Sequence, residues 1–115
     1  MTTENGLQDK IALELRRGVL ALATLSQLSE PQYGYSMMQR LSERGLAIDQ
    51  GTLYPLLRRL EDQGLLRSEW QIEESRPRRY YVISEQGAQA LRQLTIEWNS
   101  LVGVMDRLLG AHDRS

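Results

Sequence analysis

Near its C-terminal end the chain carries Leu91, Leu94, Trp98, Leu101, Met105 and Leu108, spaced 3, 4, 3, 4 and 3 residues apart. That is the seam of a coiled coil, on a run of good helix formers that begins after Ser84, a fitting N-cap, and continues to about Leu109. An apolar stripe has to be covered. The other elements have ended by Ser84, so the seam finds its simplest partner in a second copy of itself, with packing back onto its own chain as the alternative. A homodimer is expected, with those six residues at its interface. The N-terminal part points the same way. Between Gln8 and Leu25, the residues Ile11, Leu15, Gly18, Leu22 and Leu25 share one helical stripe, while Leu13 and Leu20 lie nearly opposite. A helix apolar on two sides needs two partners, and Leu13 and Leu20 are assigned to the dimer.

The segment between these helices divides at its turn residues. Leu28 to Gln32, with Ser29, Glu30 and Pro31, reads as a turn, and Tyr33 to Arg44 as a second helix stopped by Gly45. Leu46 to Gln50 is a connection, after which Leu53, Leu56, Leu57 and Leu60 define a third helix with one face on a core. Pro55 belongs near its start, where a missing N–H costs nothing; this favours a cap at Thr52, with Asp49 competing. Gly64 marks its end. The face opposite the leucines carries Gly51, Pro55, Arg58 and Asp62, flanked by Thr52, Tyr54 and Arg59. Leu65 to Gln71 and Arg78 to Ile83 have strand character, and Ile72 to Pro77 forms the tip between them.

Composition removes several classes of function. At 115 residues, 41% hydrophobic and 25% charged, the chain is sized and balanced for one folded domain. It has no cysteine and a single histidine, His112, so disulfides, thiolate nucleophiles, zinc knuckles and histidine triads are closed off. Nor do its acidic residues form a defensible catalytic cluster, so neither an enzyme nor a metal or cofactor is expected. No apolar run approaches the ~20 residues that cross a bilayer, and the polar start lacks a cationic signal head, which makes a cytoplasmic protein the expectation. The net charge is -1, yet thirteen of the fourteen cationic residues are arginine. Arginine's fork of donors suits phosphates and guanine edges, although a codon bias would leave the same trace.

Three helices followed by a hairpin with a basic tip is the order of a winged helix-turn-helix, in which the third helix enters the major groove and the hairpin lies over the neighbouring backbone. The expected fold is mainly α with a small β-hairpin, an α+β arrangement. A DNA-binding domain would span residues 1–83, and a dimerisation helix with its tail residues 84–115. The third helix can bring Thr52, Tyr54 and Arg58 to DNA, and the hairpin Arg76, Arg78 and Arg79. The competing reading pairs Arg58 and Arg59 with Glu61 and Asp62 as ordinary surface charges.

The run Gly51-Thr52-Leu53-Tyr54-Pro55-Leu56-Leu57-Arg58-Arg59-Leu60-Glu61, followed by Gly64-Leu65-Leu66, closely resembles the PadR family of bacterial transcriptional regulators. Arg79-Tyr80-Tyr81-Val82-Ile83-Ser84-Glu85-Gln86-Gly87 resembles that family's second wing strand and entry to the final helix, and Tyr33-Gly34-Tyr35 its opening of the second helix. The resemblance implies a homodimeric repressor on a pseudo-palindromic operator in double-stranded DNA. By position it assigns Gln50, Thr52, Tyr54, Arg58, Arg76, Arg78 and Arg79 to DNA contact. Tyr35 and Ser36 join them at the second helix's start, with Tyr35 open to a core role instead. The single final helix resembles the small subfamily, some members of which hold flat aromatic effectors between paired tryptophans. Trp98 lies at the corresponding place, where plain packing is the other reading. The rival function is a winged-helix module that docks a protein without specific DNA binding.

Overall fold

A computed structural model describes residues 3–110 in their backbone and 6–110 in their side chains; His112 lies outside the described residues. Helix α1 (Thr3–Ser26) leads to a short strand β1 (Gln32–Tyr33), then α2 (Gly34–Glu43) and α3 (Gln50–Asp62). Strands β2 (Leu66–Glu73) and β3 (Arg76–Ile83) form the hairpin, α4 (Glu85–Met105) follows, and one π-helical turn (Asp106–Gly110) closes the described chain.

The core collects one face of each helix: Leu20, Leu25 and Leu28 from the α1 region, Met37 and Leu41 from α2, and Leu53, Leu56, Leu57 and Leu60 from α3, closed by Leu66 and Tyr81 of the hairpin. The 3,4 spacing of the α3 leucines is borne out, since all four are buried. Helices α2 and α3 end alike. The Gly45 and Leu46 N–H groups return to the Ser42 and Leu41 carbonyls at 3.0 and 2.9 Å, and those of Gly64 and Leu65 return to Glu61 and Leu60 at 2.9 and 2.9 Å. These are Schellman closures, and each needs the left-handed backbone that Gly45 (φ 95°) and Gly64 (φ 82°) supply.

Four features depart from the sequence reading. First, Asp49 rather than Thr52 caps α3, which puts Pro55 in the second turn and leaves the Gly51 carbonyl without its helical donor on an exposed face. Second, the hairpin is longer than its β-propensity implied. Register runs from Leu66↔Ile83 to Glu73↔Arg76, and the turn is only Glu74-Ser75, both at positive φ (50° and 66°) as a type I′ turn requires. Third, the stretch taken for a turn yields β1, which pairs with β3 and makes a three-stranded sheet of order β1-β3-β2. Fourth, Leu20, assigned to the dimer, is 7% exposed in the chain's own core, because α1 turns that side toward α2 and α3 at its C-terminal half.

Ser84 caps α4 as expected: its Oγ accepts the Gly87 N–H at 2.9 Å and donates to the Gly64 carbonyl at 2.7 Å. Past that cap α4 runs beside α1 and both leave the globular part. The Cα radius of gyration is 16.9 Å, against about 13 Å for a compact chain of this length. Of the seam residues, Leu91 packs on the core, and Leu94, Trp98, Leu101, Met105 and Leu108 are exposed. Leu108 falls in the π turn, whose wider spacing takes it off the regular 3,4 stripe.

Candidate nucleic-acid interface

The Asp49 carboxylate accepts the Thr52 N–H at 2.8 Å, and that bond, the chief cause, holds its pKa below the ordinary 3.8. The cap presents Gln50, Gly51 and Thr52 as an exposed first turn, with Pro55, Arg58 and Arg59 further along. A side chain at Gly51 would meet nothing nearer than Asp49 Oδ1 at 3.7 Å, so this turn is open to close backbone approach. Tyr54 has a different task. Its ring lies where a Cβ on Gly34 would stand, so it seats α3 against the start of α2 and is half-buried there. Ser36 turns inward, its hydroxyl donating to the Tyr33 carbonyl at 2.9 Å. Tyr35 is on the surface rather than in the core, its phenol oxygen accepting from Gln39 Nε2 at 3.2 Å.

The wing's three arginines, equivalent in sequence, separate in the structure. Arg78 lies 4.5 Å above the Tyr33 ring and donates to Glu73 Oε1 at 3.3 Å. The same oxygen accepts the Tyr80 hydroxyl at 2.6 Å, which raises the Tyr80 pKa because the bond requires the protonated phenol. Arg79 reaches down to α3. Its Nη2 donates to Glu61 Oε1 at 2.9 Å and its Nε to Ser68 Oγ at 3.0 Å, while that hydroxyl donates to Glu61 Oε2 at 2.6 Å. Arg76, at the tip, is exposed and without an ion pair.

Among the described residues these are the two ion pairs, Arg78–Glu73 and Arg79–Glu61. Glu61, which sequence reading offered to Arg58 as a helical neighbour, is therefore committed elsewhere, and Arg58 and Arg59 stand unpaired on α3. Between α3 and the wing runs a cleft of about 450 Å³, whose walls include Tyr54 and Arg58 on one side and Trp70, Pro77, Arg78 and Arg79 on the other. Trp70 was assigned only to strand propensity and Ile72 to the tip, yet both lie in β2 and are 64% and 79% exposed. The period-two register was the available signal, since Trp70 pairs with Arg79 and Ile72 with Pro77 on one face of the hairpin, and Trp70, Pro77 and Arg79 border the cleft.

A second, largely apolar groove of about 360 Å³ lies between α1 and α4, bordered by Leu15, Val19, Trp98, Leu101, Val102 and Met105. It brings Trp98 beside Leu101, Val102 and Met105 of its own helix and beside Leu15, Arg16 and Val19 of α1, with Asp106 also at its border. Leu13, also assigned to the dimer, is exposed on α1.

A third helix that buries its leucines and shows Arg58 and Arg59 on its outer face, beside a two-stranded wing, is the arrangement of a winged helix-turn-helix DNA-binding protein. Comparison with known proteins makes the class narrower. Residues 21–93 match the model of the transcriptional regulator PadR-like family, and the chain belongs to that family. A PadR-family transcriptional regulator from Eggerthella lenta is 44% identical, with a TM-score of 0.82 over 92% of this chain and 95% of that one. A PadR-like transcription factor from Bacteroides fragilis is 33% identical, with a TM-score of 0.74 over 86% and 98%. A transcriptional regulator of Mycobacterium tuberculosis is 37% identical over 70% of this chain and 76% of its own length. The chain is thus a DNA-binding transcriptional regulator of the PadR type. No described helix is long and apolar enough to cross a membrane.

Proposed function

We propose that this regulator is a cytoplasmic homodimeric repressor that places α3 in successive major grooves of a pseudo-palindromic operator and releases it when a small aromatic compound binds at Trp98. The observation that carries the DNA contact is the division of the arginines: among the described residues Arg58 and Arg59 on the exposed face of α3 and Arg76 at the wing tip have no ion pair, and Arg58 borders the cleft toward the wing, whereas Arg78 and Arg79, which line the same cleft, have internal partners. Unpaired cations are the ones able to exchange counterions for phosphates. Gln50 and Thr52 stand in the leading turn, and Arg58 is placed to reach a base edge or a phosphate. Tyr35 adds a surface hydroxyl on α2, and Tyr54 and Ser36 contribute through the seating of α2 and α3.

The dimer is supported by what the single chain leaves uncovered. It exposes 8429 Å², where a folded monomer of its mass exposes about 6,400 Å². Among the exposed apolar side chains are Leu13 and Leu15 of α1 and Leu94, Trp98, Leu101, Met105 and Leu108, which a second copy would bury. The groove beside Trp98 supports an aromatic ligand, because a half-exposed indole over an apolar floor offers a stacking surface.

The test is selection of the purified protein against a random duplex pool at near-physiological salt. Enrichment of an inverted repeat with half-sites about 34 Å apart is expected. A pool that stays random, with binding lost at moderate salt, would leave the wing and α3 as a protein-docking surface instead. On the selected duplex, Arg58→Ala should cost ~1–3 kcal/mol if it pairs with a base. A planar aromatic probe that quenches Trp98 and lowers operator affinity would support the effector, and quenching with unchanged affinity would remove its regulatory role.

A further inference from the structure

We infer that Glu61, an acidic residue that does not line the cleft between α3 and the wing, is a positioning residue for DNA binding, and that Arg79 acts through it rather than through phosphate. The inference rests on the DNA reading above. Three hydrogen bonds close a ring between the last turn of α3, the lower half of β2 and the middle of β3: Arg79 Nη2 to Glu61 Oε1 at 2.9 Å, Ser68 Oγ to Glu61 Oε2 at 2.6 Å, and Arg79 Nε to Ser68 Oγ at 3.0 Å. Both carboxylate oxygens are used, and the guanidinium also lies 5.5 Å from the centre of the Tyr81 ring and 5.8 Å from that of Trp70. Arg79 therefore has two of its donors engaged by Glu61 and Ser68 although its side chain is still 37% exposed, so a phosphate would have to compete with bonds already made.

Such a clasp matters because of where it sits on the lever. From the Leu66–Ile83 pair to the Glu73–Arg76 pair the wing rises seven residues, about 23 Å at 3.3 Å per residue. A hairpin hinged at its base by 10° would move Arg76 by about 4 Å, enough to lose a phosphate contact. The clasp joins the wing to α3 at Ser68, two residues above the base pair, and at Arg79, four above it, so it fixes the angle between the two elements that have to meet DNA together. Base attachment is separate and comes from Ile83 N–H to the Leu28 carbonyl at 2.8 Å and Ser84 N–H to the Leu65 carbonyl at 3.0 Å.

The consequence has a sign opposite to simple electrostatics. Removing an acidic residue near a polyanion should raise affinity, and freeing an arginine should raise it again. The clasp predicts the reverse: Glu61→Ala weakens binding to the selected duplex on the order of tenfold, since the wings of both protomers lose their angle. Arg79→Ala should weaken it by a similar factor, and the double variant by no more than either single one, because the two act as a unit. Ser68→Ala, which keeps the ion pair, should fall between. If Arg79 held a phosphate directly, Arg79→Ala alone would weaken binding and Glu61→Ala would leave it unchanged or raise it.

The experiment measures affinity for the duplex and, in the free protein, amide hydrogen exchange across residues 69–80. Faster wing exchange in Glu61→Ala, with exchange in the α3 amides unchanged and affinity reduced, is the expected result. Unchanged wing exchange, raised affinity, or additive losses would each overturn the inference. Should the wild type select no sequence at all, the regulator reading falls on that arm alone, and wing exchange together with affinity for random duplex still decides whether Glu61 sets the wing. A variant that unfolds is recognised by loss of exchange protection in α3, and Ser68→Ala then carries the test.

Discussion

The most exacting test of how the reading head is joined to α4 is the addition of one methyl group at Gly87. A Cβ there would overlap the Leu65 carbonyl oxygen and stand 2.8 Å from Ile83 Cγ1 and 2.9 Å from the Leu65 carbonyl carbon. Two of these are backbone atoms and cannot rotate away. The Leu65 carbonyl also accepts the Ser84 N–H at 3.0 Å, and Ser84 Oγ caps α4 through the Gly87 N–H at 2.9 Å, so moving the helix strains two bonds at once. Overpacking in a closed site costs ~1–3 kcal/mol, and a weakened cap and hydrogen bond add ~1 kcal/mol each. Against this stands the gain of ~0.5–1 kcal/mol from replacing glycine in a helix. The net expectation for Gly87→Ala is a loss of about 2–4 kcal/mol.

The same chemical change on the same helix supplies the control. At Gly103 a Cβ would meet only Arg107 Nη1 at 3.7 Å, an ordinary contact, so Gly103→Ala should keep the helix-propensity gain and stabilise by ~0.5–1 kcal/mol. Urea denaturation followed by circular dichroism, at one fixed protein concentration because association would shift the midpoint, measures both. Equal effects of the two substitutions would refute the reasoning, since they would show that close approach at Gly87 is not what sets the cost.

Other outcomes follow from single groups. Thr24 Oγ1 is fully buried with no hydrogen-bond partner, so Thr24→Val should raise stability by about 1 kcal/mol in the same denaturation; destabilisation would mean the hydroxyl is satisfied. The wing turn places Glu74 and Ser75 at positive φ, and Glu74→Asn with Ser75→Gly, the residues a type I′ turn favours, should add about 1 kcal/mol without altering DNA affinity; no gain would argue against that turn. Asp49 has its pKa lowered in the fold by the Thr52 N–H, so its contribution is present above the unfolded value of 3.8 and is lost as pH falls through the lower folded value. The stability difference between wild type and Asp49→Ala should therefore be constant near neutrality and shrink below pH 3.8, and a difference independent of pH would refute the cap's charge.

Much of the fold was legible because it depends on periodicity. The spacing of Leu53, Leu56, Leu57 and Leu60 names a buried helical face whatever surrounds it, and Ser84 and Gly64 mark boundaries through local backbone chemistry. The cap of α3 was harder, since Asp49 and Thr52 both satisfy the rule and only the geometry shows Asp49 accepting the Thr52 N–H at 2.8 Å. The two-residue strand β1 was hidden for another reason. Gln32 and Tyr33 have no pattern of their own, and they become a strand only because β3 offers its free edge opposite Tyr80 and Tyr81.

The candidate site obeys a different logic. Arg76, Arg78 and Arg79 are one cluster in sequence, yet alternation along a strand sends Arg79 to the face that holds Ser68 and Glu61, and Arg76 and Arg78 to the other. Whether an arginine is available to a ligand depends on the acid that reaches it, and the acid that reaches Arg79 is 18 residues away. Local spacing instead offered Glu61 to Arg58, and the gain of that pairing, ~0.3–0.5 kcal/mol on an open helix, is small enough to be overruled by a half-buried partner using both carboxylate oxygens. Capturing Glu61 thus does two things at once: it ties the wing to α3 and it leaves Arg58 unpaired on the exposed face of that helix. Loss of Glu61 would accordingly free Arg79 without making the surface better at reading a duplex.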